Sequence, residues 1–448
     1  MLVRFIVKNL FSFGEQREFN MLPAPRHSRL AHHKYKVGGI ELLKQAAIYG
    51  ANGSGKSNLV KALRYLQELV LEDKLPSRLN QQKYRFLEDL EASPVLLALE
   101  FVKADQAFLY AVEFNANRVL TEELYLSGMG EKENTLIFER KTLDDNRIET
   151  RFSAAFESDA ESAVLKKVIE KNLAKPEKPL FKLLSKLVNP FLIDLELAFD
   201  WFQEDLKIIS PETKLAPLAH NIHRNKPFSA YANNLVRAFH TGIEAISAEK
   251  MSVKEFLGLD NADQLNTVMD GMADGEVVEL SGANGEVVEL VREGNNFSIK
   301  RLIMEHKGPK DKNAQFFLHE ESDGTVRLLD YVPAFLDLVQ HPRVYVIDEM
   351  ERSIHPVLIK ALIQKFSDDT QTKGQLIFTT HESNLLDQDI FRQDEIWFVE
   401  KDSNACSDLY PLSEFKEHHS KDIQKGYLNG RYDAIPFLGN LKDLNWNE

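Results

Sequence analysis

The chain of 448 residues contains a single cysteine, Cys406. A lone thiol can form no internal disulfide, and without a cysteine cluster there is no sulfur-based zinc site, so Cys406 reads as an inert thiol. Long apolar runs are also missing: no stretch approaches the ~20 residues that a membrane-spanning helix needs. The opening Met1-Leu2-Val3-Arg4-Phe5-Ile6-Val7 lacks an extended apolar segment followed by a small-residue cleavage site, and a cytoplasmic chain is expected. Positive charge is scarce as well. With 55 Lys and Arg against 69 Asp and Glu the net charge is −14, which argues against a surface that grips nucleic acid throughout, while leaving room for one local basic patch. The histidine pairs at 32–33 and 418–419 have no acidic partner at metal-ligand spacing in the sequence, and both read as solvated loops.

What is present is a composition of 43% hydrophobic and 28% charged residues, the profile of a globular protein with real cores. The length suits two or three domains. Short alternating runs at Leu2–Val7 and Phe13–Phe19 predict a hairpin. Strand patterns follow at 94–102, 107–114, 120–126 and 135–138, predicting an antiparallel sheet. From about Ser153 to Lys250 the pattern is helical and lacks the sustained heptads of a long coiled coil. The segment 273–280 nearly repeats at 283–290, and two copies predict an extended hairpin, since a solenoid needs at least ~3. The expected division is therefore 1–150, with a strand–loop–helix core and the antiparallel sheet; 151–250, an inserted helical lobe; 251–310, a hairpin-rich return; and 311–448, the second half of the core.

Chemistry concentrates at four places. Gly50-Ala51-Asn52-Gly53-Ser54-Gly55-Lys56-Ser57 fits the pattern G-x-x-x-x-G-K-[ST], between a short apolar strand (Gln45–Tyr49) and a helical pattern running from Ser57 through Asn58 to Val70. Glycines at these positions let backbone N–H groups turn around phosphate oxygens, and the helix presents its N-terminus to the same anion. Lys56 then reaches the β- and γ-phosphates of a nucleotide, and Ser57 ligates Mg²⁺. Val344-Tyr345-Val346-Ile347 reads as a buried strand ending in Asp348 and Glu349. Asp348 is placed to hold Mg²⁺, and Glu349 to polarise an attacking water. Gln375 to Thr380 is a second buried strand, ending in His381, which can sense a γ-phosphate through a ring N–H. Ser322-Asp323-Gly324 opens a helix, with Ser322 as N-cap and Gly324 leaving backbone amides accessible to a phosphate from another molecule.

This order of motifs resembles the ABC-type ATPase heads, and most closely the prokaryotic AAA_15/AAA_21 family. That family includes the abortive-infection ATPases of the AbiLi/RloA kind and relatives of the OLD ATPases. The resemblance rests on Val7 to Phe13, Ala46 to Asn52, Glu321 to Leu329, Glu349 to Pro356, Asp394 to Lys401 and Gly426 to Tyr432; residues 150–300 add nothing specific. Phe11 stands where relatives often carry Arg, Asp433 where they tend to carry Gly, and no glutamine of a Q-loop can be assigned. The resemblance implies an α/β ABC-type head: a RecA-like core with a mixed sheet, an antiparallel β-subdomain and an inserted helical lobe. It also implies ATP and Mg²⁺ as ligands. ATP would be sandwiched between the loop of one chain and Ser322-Asp323-Gly324 of a second copy, with higher assemblies open. It further implies a separate effector of nuclease or Toprim type in anti-phage defence. The alternative is a DNA-maintenance ATPase similar to RecF or the SMC-type repair heads, with DNA as a partner. Lys56→Ala is expected to abolish ATP binding; a variant that retains the wild-type affinity by calorimetry overturns the assignment.

Overall fold

The strand Gln45–Gly50 is buried at every residue, so it can only lie inside a sheet that is covered on both faces. In the computed structural model it does. The structure describes every residue except 26, 212, 214–216, 240, 258–261, 282–284, 416–421 and 433–448, so His418, His419 and Asp433 lie outside the described residues. The chain forms two units, one of Met1–Ser210, His341–Met350 and Ile363–Glu448, the other of Pro211–Gln340 and Glu351–Leu362.

In the first unit a six-stranded sheet runs in the order Leu206–Ile209, Val344–Ile347, Gln375–Thr379, Gln45–Gly50, Ile396–Lys401 and Ser407–Pro411. The first five strands are parallel and the last is antiparallel. Ile347 is level with Phe378, and Phe378 with Ala47, so three chemistry-bearing strands end at one edge. A second, antiparallel sheet of seven strands runs from Ile148–Phe152 through Thr135–Thr142, Val119–Leu126, Gln106–Phe114, Val95–Lys103 and Leu2–Lys8 to Arg17–Asn20. The helix Lys56–Glu72 buries Leu59, Val60, Leu63 and Leu66 in a single core with residues of both sheets, such as Phe5 and Ile48. Apolar positions wider than one stripe suit a helix covered on more than one side.

Two expectations change here. The second strand of the opening hairpin starts at Arg17, not Phe13, because Leu10 and Phe13 exchange backbone hydrogen bonds of 2.9 and 3.1 Å that close a tight turn. The predicted helical lobe 151–250 is divided. Short helices occupy Ala154–Ser158, Ala160–Val168, Phe181–Ser185 and Ile193–Asp200, but Leu206–Ile209 joins the six-stranded sheet and Ile243–Ser252 is a strand of the second unit. Four residues are too few to separate a strand from a helical period.

The second unit is built on an antiparallel sheet in which Ile243–Ser252 pairs with Asn296–Lys307, which also pairs with Val287–Glu293 and Asn313–Phe317. The repeat forms a hairpin: Val277–Ser281 pairs with Val287–Glu293, setting Glu279 opposite Glu289. The copies are not equivalent. Glu289 is buried and accepts the backbone N–H groups of Ala219 (2.8 Å) and His220 (2.6 Å) at the start of the helix Leu218–Arg224, and burial raises its pKa. The helices Leu218–Arg224, Lys226–Ala238 and Asp323–Gln340 pack on the sheet through Ile222, Val236, Leu302 and Leu329.

The first unit also carries a buried ionic knot. Glu122 accepts hydrogen bonds from the N–H groups of Leu180 (2.6 Å) and Phe181 (3.0 Å) and from the Tyr110 hydroxyl (3.0 Å), with the Arg140 guanidinium at 3.8 Å. Burial pushes the Glu122 pKa up and the partners pull it down. Removing one partner of such a pair leaves an uncompensated charge. Glu122→Ala should therefore destabilise the first unit by about 3–5 kcal/mol, read as a lower midpoint in urea denaturation.

Candidate functional site

Two glycines of the loop are dictated by close approach. A Cβ at Gly50 would lie 2.3 Å from the Val399 carbonyl oxygen, and one at Gly55 (φ 121°) would lie 2.2 Å from Ser407 Oγ. The loop therefore leaves the strand Gln45–Gly50 and enters the helix Lys56–Glu72 pressed against the next two strands. Asn52 and Gly53 stand exposed at its crest, whereas Ser54, Gly55 and Lys56 are buried. With glycine as N-cap, no side chain competes for the first-turn N–H groups, which carry the positive end of the helix dipole. That is the geometry an anion takes.

Lys56 donates from Nζ to the carbonyls of Gly50 (2.7 Å) and Ala51 (3.1 Å) and lies 3.3 Å from His381 Nδ1. The His381 pKa is lowered by desolvation first and by Lys56 second, with Asp348 opposing. Ser57 Oγ donates to Asp348 Oδ1 at 3.1 Å, and Thr379 Oγ1 donates to the same oxygen at 2.5 Å. Thr379 Oγ1 in turn accepts the Glu349 N–H at 2.8 Å. Glu349 itself is left-handed (φ 51°), a conformation that costs a non-glycine residue about 1–3 kcal/mol and that concentrates at functional sites. Lys56, Ser57, Asp348 and His381 are thus joined by direct contacts, with Glu349 next along the chain. A hydroxyl and a carboxylate on one side of a helix N-terminus form a hard oxygen donor set that fits a small divalent cation.

Beneath the loop lies a hydrogen-bonded support of residues without motif status. Ser407 Oγ donates to the Ser54 carbonyl (2.6 Å) and lies 2.7 Å from Ser12 Oγ, which accepts from Asn58 Nδ2 at 2.9 Å. Asn58, expected among the nucleotide contacts, is thus part of this support. Tyr427 packs against Tyr49 (5.9 Å between ring centroids) and Phe398 (5.8 Å), and a hydrogen bond links it to the Gly50 backbone. Ser407 carries no sequence signal, because its partners are hundreds of positions away, and Ser12 lies in the opening segment whose resemblance to the family had no chemical reading. Thr379 carried a signal, as a polar residue in an otherwise apolar strand.

In the second unit, Ser322 caps its helix as expected: Thr325 N–H donates to Ser322 Oγ at 3.2 Å. Ser322 and Asp323 are exposed. Gly324 meets a constraint the sequence did not suggest, since a Cβ there would lie 2.5 Å from the Ser353 carbonyl oxygen, and Ser353 is itself left-handed (φ 62°). Gly324 lets the helix start approach this turn.

Residues 46–387 match the family model described as "AAA domain, putative AbiEii toxin, Type IV TA system". The chain belongs to this AAA-domain family. The match opens in the strand that leads to the loop and closes beyond His381, so it includes both halves of this AAA domain. No curated protein matches it in sequence. Solved structures similar to it include an SMC head bound to the C-winged helix domain of ScpA, at 14% identity and a TM-score of 0.40, covering 93% of this chain and 99% of that one. The SMC head domain from Thermotoga maritima gives 12% identity and 0.39, over 92% and 98%. An Smc head with an extended coiled coil, bound to the C-terminal domain of ScpA derived from Pyrococcus furiosus, gives 14% and 0.40, over 96% and 99%. No helix among the described residues is long and apolar enough to cross a membrane.

The doubly used Thr379 hydroxyl is the testable point of this AAA domain. Thr379→Val keeps the shape but strips Asp348 of a donor and leaves the Glu349 N–H unsatisfied, a loss of about 1–3 kcal/mol. The measurement is the urea midpoint of the variant against the wild type.

Proposed function

We propose that this AAA domain is a magnesium-dependent ABC-type ATPase that works as a pair of chains. It would act as the sensor or regulator of a separate effector, a nuclease, Toprim-type protein or toxin, in bacterial anti-phage defence of the abortive-infection AbiLi/RloA and OLD-related kind. The observation that carries the enzymatic reading is the chain of contacts from Lys56 through His381 and from Ser57 through Asp348 to Thr379. The family description, which names a toxin and a type IV TA system, supports the defence setting.

In this reading the backbone N–H groups of residues 50–57 and the helix start hold the phosphates of ATP, and Lys56 adds its charge. Ser57 and Asp348 would hold Mg²⁺, which when bound neutralises phosphate charge. Glu349 takes a proton from the water that attacks the γ-phosphorus as the bond to the β–γ bridging oxygen breaks. His381, its pKa lowered, stays neutral near pH 7 and offers a ring N–H to the γ-phosphate. Ser322, Asp323 and Gly324 of a second copy close the site with the exposed start of their helix, so that ATP joins two chains and hydrolysis separates them.

Glu349→Gln should remove the base and keep the carbonyl acceptor, trapping an ATP-bound dimer by light scattering and lowering turnover by 10²- to 10⁴-fold. A variant that stays monomeric with saturating ATP contradicts the sandwich. Ser322→Arg should abolish turnover while leaving ATP binding by the single chain intact. Mixing it with Lys56→Ala tests sharing in trans: one of the two composite sites then carries both lesions and the other neither, so partial activity returns.

A further inference from the structure

Of the histidine pair at 32–33, read from sequence as a solvated loop, His32 is exposed and His33 is not. His33 is fully buried, and its Nδ1 lies 3.0 Å from both carboxylate oxygens of Glu395, itself fully buried. The lone pairs of the two imidazole nitrogens diverge, so Nε2 faces away from Glu395. It is buried and has no hydrogen-bond partner among the described residues. A buried polar atom left in that state costs about 1–3 kcal/mol. The His32 ring meets the His33 ring edge-on at 4.5 Å, and His32 Nε2 is 3.7 Å from Asp368 Oδ1. Each of His32, His33 and Asp368 brings one ligand atom within 4.8 Å of the other two. The acidic partner missing from the sequence neighbourhood is supplied by the last residue of the helix Pro356–Asp368, whose C-terminal end favours cations.

We infer that His32, His33 and Asp368 form a binding site for one divalent transition metal ion of the zinc class, with Glu395 as the carboxylate that orients His33. Two imidazoles and a carboxylate are a borderline donor set that suits zinc over calcium or magnesium. Ligating histidines almost always donate their other ring N–H to a carboxylate, which fixes the tautomer and leaves the second nitrogen unprotonated; the Glu395–His33 pair has this form. His32 and Asp368 are exposed, so the ion faces solvent on one side and keeps water as a further ligand. Lys44 occupies the neighbouring carbonyls of Ser367 (3.0 Å) and Asp369 (2.6 Å) and leaves the Asp368 carboxylate to the metal. The ion would pin the short turn Ala31–His33 to the C-terminal end of the helix Pro356–Asp368. This site is separate from the phosphate loop and does not depend on its proposed role.

The test uses the full chain, stripped with a chelator and kept free of nucleotide, titrated with Co²⁺ and then with Zn²⁺. One Co²⁺ per chain should bind, with the absorption bands of a low-coordinate nitrogen–oxygen site, and Zn²⁺ should displace it. His32→Ala and Asp368→Asn change exposed side chains and should each weaken binding at least tenfold, while Glu395→Gln should weaken it 10- to 100-fold. Zn²⁺ should raise the melting temperature of the wild type and not of Asp368→Asn. Failure to bind one metal ion per chain overturns the inference. So does binding that survives both His32→Ala and Asp368→Asn, or binding that is lost in Ser57→Ala instead.

Discussion

One carboxylate oxygen ties the candidate site together. Asp348 Oδ1 accepts the hydroxyls of Ser57 and Thr379, and so joins the start of one helix to the ends of two neighbouring parallel strands. In a parallel sheet the strands are fixed by backbone ladders, but the loops beyond their ends are not. Two charge-assisted hydrogen bonds to one buried acceptor remove much of that freedom. The left-handed Glu349 and its N–H bond to Thr379 continue the same constraint by one residue.

Support for the loop comes from parts of the chain to which the sequence assigned no chemistry. Ser12, at the end of the first strand's turn, and Ser407, on the antiparallel edge strand, meet beneath Ser54. The rings of Tyr427 and Tyr432 stack on Phe398 at 5.8 and 5.2 Å, filling the space behind the strand that leads into the loop. The segment 426–432, whose resemblance to the family had no chemical explanation in the sequence, has one in this packing.

The parts legible in the sequence are those where a local pattern and a chemical demand coincide. Ile347 and Thr379 end strands that are buried throughout, and Gly50, Gly55 and Lys56 sit at the spacings a phosphate loop requires. Illegible were features defined by distant partners. Leu206–Ile209 completes the central sheet from within a stretch of helical character, and nothing in four residues announces a parallel neighbour more than a hundred positions away. His33 reads as a loop residue until Glu395 and Asp368 are brought beside it. The contact that excludes a side chain at Gly324 was likewise illegible, since the carbonyl belongs to Ser353.

The helix that follows the loop is buried along Leu59, Val60, Leu63, Leu66 and Val70. Amides in such a position are released to solvent only when the whole unit opens, so they should be among the slowest to exchange. Gly50 is equally enclosed on the other side. Ahead of the helix, whose first residue is Lys56, only Ala51, Asn52 and Gly53 have exposed or half-exposed surface. Local motion of the loop ahead of the helix therefore falls to these three residues, and the rest moves only when the core does.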